Sequence, residues 1–248
     1  MIKSLVTGGA GFIGSNLVDA LLEQGHMVVC VDNESASNEE FYWNRNAINI
    51  KADVTDYKIM RNCMTDIDYV FHLAAESRLQ PAIENPIEAI VKNCVGTTTV
   101  LQCAREAGVK KVMYSSTSSG YGMNSYPNVE TQPDDCLNPY SASKVAAEKF
   151  CKMYTDLYGL KTVVFRYFNV YGPGEERKGK MASVAYQAWK LGSFRIFPKK
   201  ATRDFVYVKD IVSATIYPLF NNVEPGVYDV GCGESRLFED VLDLMEIP

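Results

Sequence analysis

The chain has 248 residues, of which 47% are apolar and 22% charged, and it carries a formal net charge of −5. That balance is ordinary for a globular chain and long enough for one large or two small domains around a buried core. No run approaches the roughly 18 to 20 uncharged apolar residues of a membrane span, and the acidic balance without basic runs argues against nucleic-acid binding.

The first residues, Met1-Ile2-Lys3-Ser4-Leu5-Val6-Thr7, lead straight into glycines with no apolar stretch or cleavage site of a signal peptide. A soluble, cytoplasmic chain starting at Met1 is therefore expected. Seven cysteines (Cys30, Cys63, Cys94, Cys103, Cys136, Cys151 and Cys232) form no CxxC pair and have no His at metal spacing, so they read as reduced thiols. No metal is expected. Lys199-Lys200 with Arg203 is locally basic, which suits a single nucleotide ligand better than a nucleic acid.

Ile2–Thr7 reads as a short buried strand, and Phe12–Gln24 places Phe12, Ile13, Leu17, Val18, Leu21 and Leu22 at helical spacing. Gly25 ends that helix and Met27–Val31 is the next strand. Further strands fall at Tyr69–His72, Val112–Ser115 and Thr162–Tyr167, with helices over Ile87–Ala107 and Ser141–Tyr158. Strands alternating with helices of this length imply an α/β fold, a doubly wound parallel sheet of Rossmann type. After Gly172-Pro173-Gly174 the rhythm changes to a helix at Ala182–Lys190 and short strand-like pieces, which marks a smaller C-terminal substrate lobe. The expected division is 1–166 for the dinucleotide domain, with 204–222 returning to it, and 167–203 plus 223–248 for the lobe. Ser235–Met245 reads as a capped amphipathic helix with Leu237, Phe238, Val241, Leu242 and Met245 on one face. There is no internal repeat and no low-complexity linker.

Gly8-Gly9-Ala10-Gly11-Phe12-Ile13-Gly14 sets glycines at 8, 11 and 14 between a strand and a helix, where a tight turn brings backbone close to a pyrophosphate. Three glycines can make a plain turn. The flanking strand and helix, and Asp32 closing the second strand, make this a dinucleotide site. Asp32 accepts from ribose hydroxyls and repels a 2′-phosphate, and Asn33 beside it is no arginine, so NAD is expected over NADP. Asp53-Val54 follows a third apolar patch; Asp53 reads equally as a loop cap or as a ligand of the adenine amino group.

Tyr140-Ser141-Ala142-Ser143-Lys144 places Tyr140 and Lys144 on one helix face. That spacing recurs by chance, as at Tyr186 and Lys190. What singles out the first pair is Tyr114–Gly122, a run that puts hydroxyls at the carboxyl end of a strand, where open parallel sheets bind ligands.

These segments together resemble the extended short-chain dehydrogenase/reductases, in the NAD-dependent sugar-nucleotide epimerase/dehydratase branch. The resemblance rests on Thr7–Gly14, Asp32, Phe71-His72-Leu73-Ala74-Ala75, Asn93, Ser115–Gly122, Tyr140 with Lys144, Arg166–Gly172 and Arg203–Val208. It implies that Tyr140 is the acid/base, that Lys144 binds the nicotinamide ribose and depresses the Tyr140 pKa, and that Thr117 holds the reacting sugar oxygen. Gly8, Gly11, Phe12, Ile13, Gly14, Asp32, Asn33, Asp53, Val54, Leu73, Ala74, Ala75, Asn93, Ser115 and Tyr167 would form the NAD site. Ser118 and Ser119 would join Thr117 and Tyr140 on the substrate, and Asn169 and Arg203 would grip its pyrophosphate.

The chain also departs from parts of the family. The 4,6-dehydratases carry an Asp-Glu pair where Ser118 and Ser119 stand, so dehydration is not expected. Arg166–Met181 with Lys178 resembles ADP-heptose 6-epimerases, in which the matching lysine is a second acid/base. Phe71–Pro86, especially Leu73-Ala74-Ala75-Glu76-Ser77, is nearer hexose 4-epimerases and dehydratases. A UDP-hexose 4-epimerase is the leading expectation; a heptose 6-epimerase or a net keto-sugar reductase is the alternative, and a non-catalytic NAD-binding protein would not keep Tyr140 and Lys144. Lys178 equally suits a solvated loop lysine. Trp43 and Trp189 read as packing or interface residues. His26 and His72 lack partners in the sequence, and His72 reads as support for the strand end. Ile87–Ala107 and Ser141–Tyr158 are expected to pair across a twofold axis, as in dimeric members. The chain stops at Pro248 where extended members continue, which implies a shortened lobe, open on the base side, with Arg203 and Asn169 as its main phosphate anchors.

Overall fold

The computed structural model describes residues 1–36, 40–192 and 202–246. The basic pair Lys199-Lys200 and the last residues, Ile247-Pro248, lie outside the described residues.

Seven parallel strands make the central sheet, in the order β3-β2-β1-β4-β5-β6-β9. They are β1 (Lys3–Thr7), β2 (Met27–Asp32), β3 (Ile48–Lys51), β4 (Tyr69–His72), β5 (Lys111–Thr117), β6 (Thr162–Tyr167) and β9 (Gly226–Val230). From β1 the chain winds outward through β2 and β3, then returns to place β4 on the other side of β1, with Thr7 beside His72. That reversal opens a crevice at the carboxyl ends of β1 and β4, the place where open α/β sheets take ligands.

Helices cover both faces. α1 (Phe12–Glu23) and α8 (Val208–Ile216) bury Leu17, Val18, Leu21, Ile211 and Val212 against Val6, Phe71 and Val163. On the other face, α2 (Tyr57–Cys63), α5 (Gly96–Glu106) and α6 (Pro139–Tyr158) bury Met60, Val100, Leu101, Ala147 and Cys151 against Leu5, Val70 and Val112. Strands buried on both faces read as continuous apolar runs, which is why they were legible. The start of α6 is fixed by Pro139 in its first turn and by Asn138, whose side chain accepts from the Ser141 N–H at 2.9 Å; Gly159, left-handed at φ +71°, ends it.

The segment expected as one helix over Ile87–Ala107 is α4 (Pro86–Ile90), a π turn (Val91–Val95) and α5. Asn93 sits in the π turn, fully buried. It accepts from the Glu76 N–H at 2.7 Å and donates to the Glu76 carbonyl at 3.0 Å and to Ser143 Oγ at 2.8 Å. The extra residue in the turn thus ties the loop after β4 to α6.

A second sheet runs β10-β8-β7, from β7 (Asn169–Tyr171), β8 (Thr202–Tyr207) and β10 (Ser235–Leu237), with α7 (Val184–Leu191) and α9 (Phe238–Leu244) beside it. Two expectations need correcting here. Ser235 does not open a helix: Ser235–Leu237 pairs antiparallel with Thr202–Asp204, and the helix starts at Phe238. Residues 223–248 are not all lobe, because Gly226–Val230 pairs in parallel with Val163–Tyr167 as the edge strand of the main sheet. The histidines are also partnered: His72 bonds Thr7 at 2.7 Å and Thr97 at 2.9 Å, and His26 bonds Ser4 at 2.9 Å. Trp43 donates to Glu34 Oε1 at 2.9 Å. No helix of the described residues is long and apolar enough to cross a membrane.

Candidate active site

The crevice is a cavity of about 440 Å³ running from the turn after β1 to the amino end of α6. At one end, Gly8, Gly11, Phe12, Ile13 and Gly14 line it. Gly8 has φ +69°, and a Cβ there would lie 2.7 Å from the Ala74 N; one on Gly14 would lie 2.1 Å from the Gly8 carbonyl oxygen. Only glycine permits so tight a turn. Gly11 caps α1 without a side-chain bond, so the helix presents its first N–H groups, which have no intrahelical partner, to the cavity.

Asp32, at the end of β2, lines the same end and is 8% exposed. Its Oδ2 accepts from the Ala10 N–H at 3.1 Å and its Oδ1 from the Glu34 N–H at 2.8 Å. Burial pushes its carboxyl up, against the pull of those amides. Next along the wall are Asn33, Asp53 and Val54. Asp53 accepts from Asn33 Nδ2 at 2.7 Å and from Thr55 N and Oγ1 at 2.9 and 2.7 Å. Burial raises the Asp53 carboxyl, but these bonds outweigh it and hold the group below its usual range. Leu73, Ala74 and Ala75 form the floor beyond β4.

The other end gathers Ser115, Thr117, Ser119, Tyr140, Lys144, Tyr167, Asn169 and Lys178. The Ser115 hydroxyl donates to Tyr167 Oη at 3.2 Å, and Tyr167 bonds Thr215 at 2.6 Å. Burial pushes the Tyr140 phenol above its ordinary value; the Thr117 hydroxyl works against the rise and the Glu76 carboxylate adds to it. Desolvation acts on both members of the pair, and Lys144 itself, 3% exposed, is brought down to about 8. Its Nζ stands 4.3 Å from the centre of the Tyr114 ring. Lys178 is not a solvated loop residue: it is half-buried in the cavity wall, 5.6 Å above the Phe12 ring, with burial lowering its pKa.

Three expected residues stand elsewhere. Asn93 holds the Glu76 loop from behind and does not line the cavity. Ser118 opens the tight turn Ser118–Tyr121 and does not line the cavity either. Arg203 is exposed on β8, opposite Arg236, and donates to the Thr202 carbonyl at 2.7 Å. The lining also includes Arg78 and Lys92, which the sequence reading passed over. Their one sequence signal is position: Arg78 falls a few residues past the carboxyl end of β4, on the ligand side of the sheet.

The glycine turn fits a dinucleotide diphosphate, Asp32 fits its ribose, and the Thr-Tyr-Lys group stands at the far end of the same cavity. The chain belongs to the NAD dependent epimerase/dehydratase family, whose model matches residues 4–231. Its cofactor is NAD. It is 37% identical to a UDP-glucose 4-epimerase of Mycolicibacterium smegmatis, over 87% of this chain and 72% of the relative. A UDP-glucuronate 4-epimerase of Thermodesulfobacterium geofontis is 35% identical over 87% of this chain and 71% of its own length. Among solved structures, UDP-glucose 4-epimerase of Thermotoga maritima with UDP-glucose superposes with a TM-score of 0.91 at 32% identity, covering 99% of this chain and 83% of that one.

Proposed function

We propose that the chain is an NAD-dependent nucleotide-sugar epimerase that inverts C4 of a UDP-hexose through a transient keto sugar. The observation that carries the reading is the placing of Thr117, Tyr140 and Lys144 along one cavity whose opposite end is the glycine turn with Asp32. Bound NAD supplies a two-electron acceptor that returns the same hydride, so the sugar is oxidised and reduced again with no net consumption of cofactor. Tyr140, as phenolate, takes the proton of the C4 hydroxyl and later returns it to the ketone oxygen, and inversion follows when the keto sugar presents its other face to the returning hydride. A free phenol titrates near ~10, too high for a base at neutral pH. Lys144 as an ammonium beside it favours the phenolate, Thr117 fixes the reacting oxygen, and Asn169 binds the substrate diphosphate. Gly8, Gly11–Gly14, Asp32, Asn33, Asp53, Val54, Leu73–Ala75, Ser115 and Tyr167 hold NAD.

The similar enzymes differ in the sugar named for them, and so the test runs over a panel. Purified protein is expected to retain NAD, seen by mass spectrometry, and to invert C4 of at least one of UDP-glucose, UDP-galactose and UDP-glucuronate by NMR with no cofactor added. Cofactor-free protein that consumes added NADH would overturn the epimerase reading in favour of a reductase.

One observation favours a second reading. Lys178 lies in the cavity with Tyr140 and has a lowered pKa, as a second acid/base of a heptose 6-epimerase would. In that case Lys178→Met abolishes epimerisation of ADP-heptose while NAD stays bound. Inactivity of the wild type on ADP-heptose removes this version. The same family reading takes the chain as a homodimer built on α4, α5 and α6.

A further inference from the structure

The charges lining the cavity are unevenly spread. Its two carboxylates, Asp32 and Asp53, both stand at the adenosine end, whereas Arg78, Lys92, Lys144 and Lys178 also line it among the described residues. Lys92 is neutralised by Glu88 at 2.6 Å and lies 3.8 Å from Glu76. Lys144 belongs to the Tyr140 pair. That leaves Arg78 and Lys178.

Arg78 comes from the loop after β4, and its side chain is 11% exposed. Its nearest carboxylate oxygen, Glu76 Oε1, is 3.7 Å from Nε, beyond a hydrogen bond, and that oxygen already accepts from the Arg78 backbone N–H. Arg78 Nη1 is buried with no partner. Buried donors are paired with few exceptions, so a bare guanidinium donor on a side chain that lines the cavity calls for an acceptor. Lys178 arrives from a different element, the turn Glu175–Met181, and makes no ion pair among the described residues. The two carboxylates nearest to it in the chain are engaged elsewhere: Glu176 accepts from the Gly174 N–H at 2.9 Å and Glu175 from the Ser183 N–H at 2.6 Å. Burial lowers the Lys178 pKa most, Glu175 raises it and Arg78 adds a smaller lowering. Both cations line the same cavity, where a bound oxyanion would be attracted by each.

We infer that Arg78 and Lys178 form a subsite for an oxyanion carried by the nucleotide-sugar. The inference rests on the reading of this cavity as a nucleotide-sugar site. Two groups of such a ligand share the chemistry: its diphosphate, and a carboxylate on the sugar. Position favours the carboxylate. The Glu76–Arg78 loop is tied through Asn93 to Ser143, the residue before Lys144 on α6, so the subsite lies toward the reacting end of the sugar. The substrate is then a hexuronate ester, whose acid group Arg78 receives in the planar, two-point fashion suited to guanidinium.

The test uses NAD-loaded wild type, Arg78→Gln and Lys178→Gln, with binding followed by calorimetry. UDP, ADP, GDP and dTDP are compared first on the wild type, and the tightest is carried forward with its glucose and glucuronate esters. The expected result is full retention of NAD and a roughly tenfold or greater loss of affinity in each variant, the size of one charge-assisted bond. Loss confined to the glucuronate ester identifies the carboxylate; equal loss for all three ligands identifies the diphosphate. Unchanged affinity for all three overturns the subsite, as does loss of NAD with substrate affinity intact, which assigns the cations to the cofactor. Arg78→Lys keeps the charge and guards against misfolding; it is expected to recover part of the loss. Failure of the epimerase reading shows separately, as wild type that binds these ligands without inverting them.

Discussion

At Tyr140 three influences meet: burial lifts the phenol, Thr117 opposes the lift and Glu76 reinforces it. The chain alone therefore holds this residue as a neutral phenol, and a positive partner must complete the site before it can act as a base. Tyr140→Phe is expected to keep bound NAD and lower turnover by ~10² to 10⁴-fold, the usual worth of general acid–base catalysis. Near wild-type turnover in that variant would remove Tyr140 from the chemistry. His72 poses a different question. Its ring is buried between Thr7 and Thr97, and burial, with Lys144 nearby, brings its pKa down to about 3 from 6.5. Between those two values the unfolded imidazole carries a proton that the folded one does not, so stability present at neutral pH is lost as pH falls. One such proton gives a slope of up to about 1.4 kcal/mol per pH unit. Urea unfolding at pH 7 and pH 5 is expected to show a shallower acid loss in His72→Gln than in the wild type; equal losses would locate the acid sensitivity elsewhere. Arg78 shows why residue-scale reading of the sequence stopped short. A lone loop arginine belongs to no period or motif, and only the fold brings it to Lys178. Arg203 shows the converse: a motif fixed its strand but not the side to which it points.

At the scale of elements, α6 carries the site because Tyr140, Lys144 and Glu148 recur at four-residue spacing along one face. Glu148 is buried and anchors that face: it accepts from Ser116 Oγ, from Arg166 Nε at 3.0 Å and from Arg166 Nη2 at 2.7 Å. Arg166 reaches on to Asp134 at 2.8 Å. The helix is thereby bolted to β5 and β6 one turn below Lys144. Removing one member of a buried pair leaves the other charge uncompensated, which costs about 3–5 kcal/mol. Glu148→Ala is expected to lose that much in urea unfolding and Glu148→Gln distinctly less; a loss under about 1 kcal/mol in Glu148→Ala would mean that Asp134 alone suffices for Arg166. Strands β1, β2, β4, β5 and β6, and helices α1 and α6, were legible because burial on both faces, or on one stripe, writes a period into the sequence. β9 and β10 were not. Gly226–Val230 and Ser235–Leu237 owe their strand form to partners far along the chain, Val163–Tyr167 and Thr202–Asp204, and the local pattern of the second even favoured a helix.

At the scale of the whole molecule, one set of exposed apolar side chains lies on adjoining helices. Ile83, Ile87, Ile90, Val91 and Val95 from α3 (Leu79–Glu84) through the π turn, and Met153, Leu157 and Tyr158 from the end of α6, are each at least 36% exposed. Between them, Tyr57, Cys94, Val95, Phe150 and Tyr154 line an apolar groove. Single exposed apolar residues need no explanation, but a contiguous set on adjoining helices does. A second copy of the chain is the occupant we propose, because helices presenting the same face to each other across a twofold satisfy both at once. Such a contact would also bear on the site, since α6 carries Tyr140 and Lys144 and the π turn carries Asn93. Ile87→Glu combined with Leu157→Glu puts two charges into the proposed contact on each subunit. Light scattering at micromolar concentration is expected to give a dimer for the wild type and a monomer for the double variant, with circular dichroism unchanged. A monomeric wild type with that surface fully exposed would refute the dimer and leave the apolar face to a different partner.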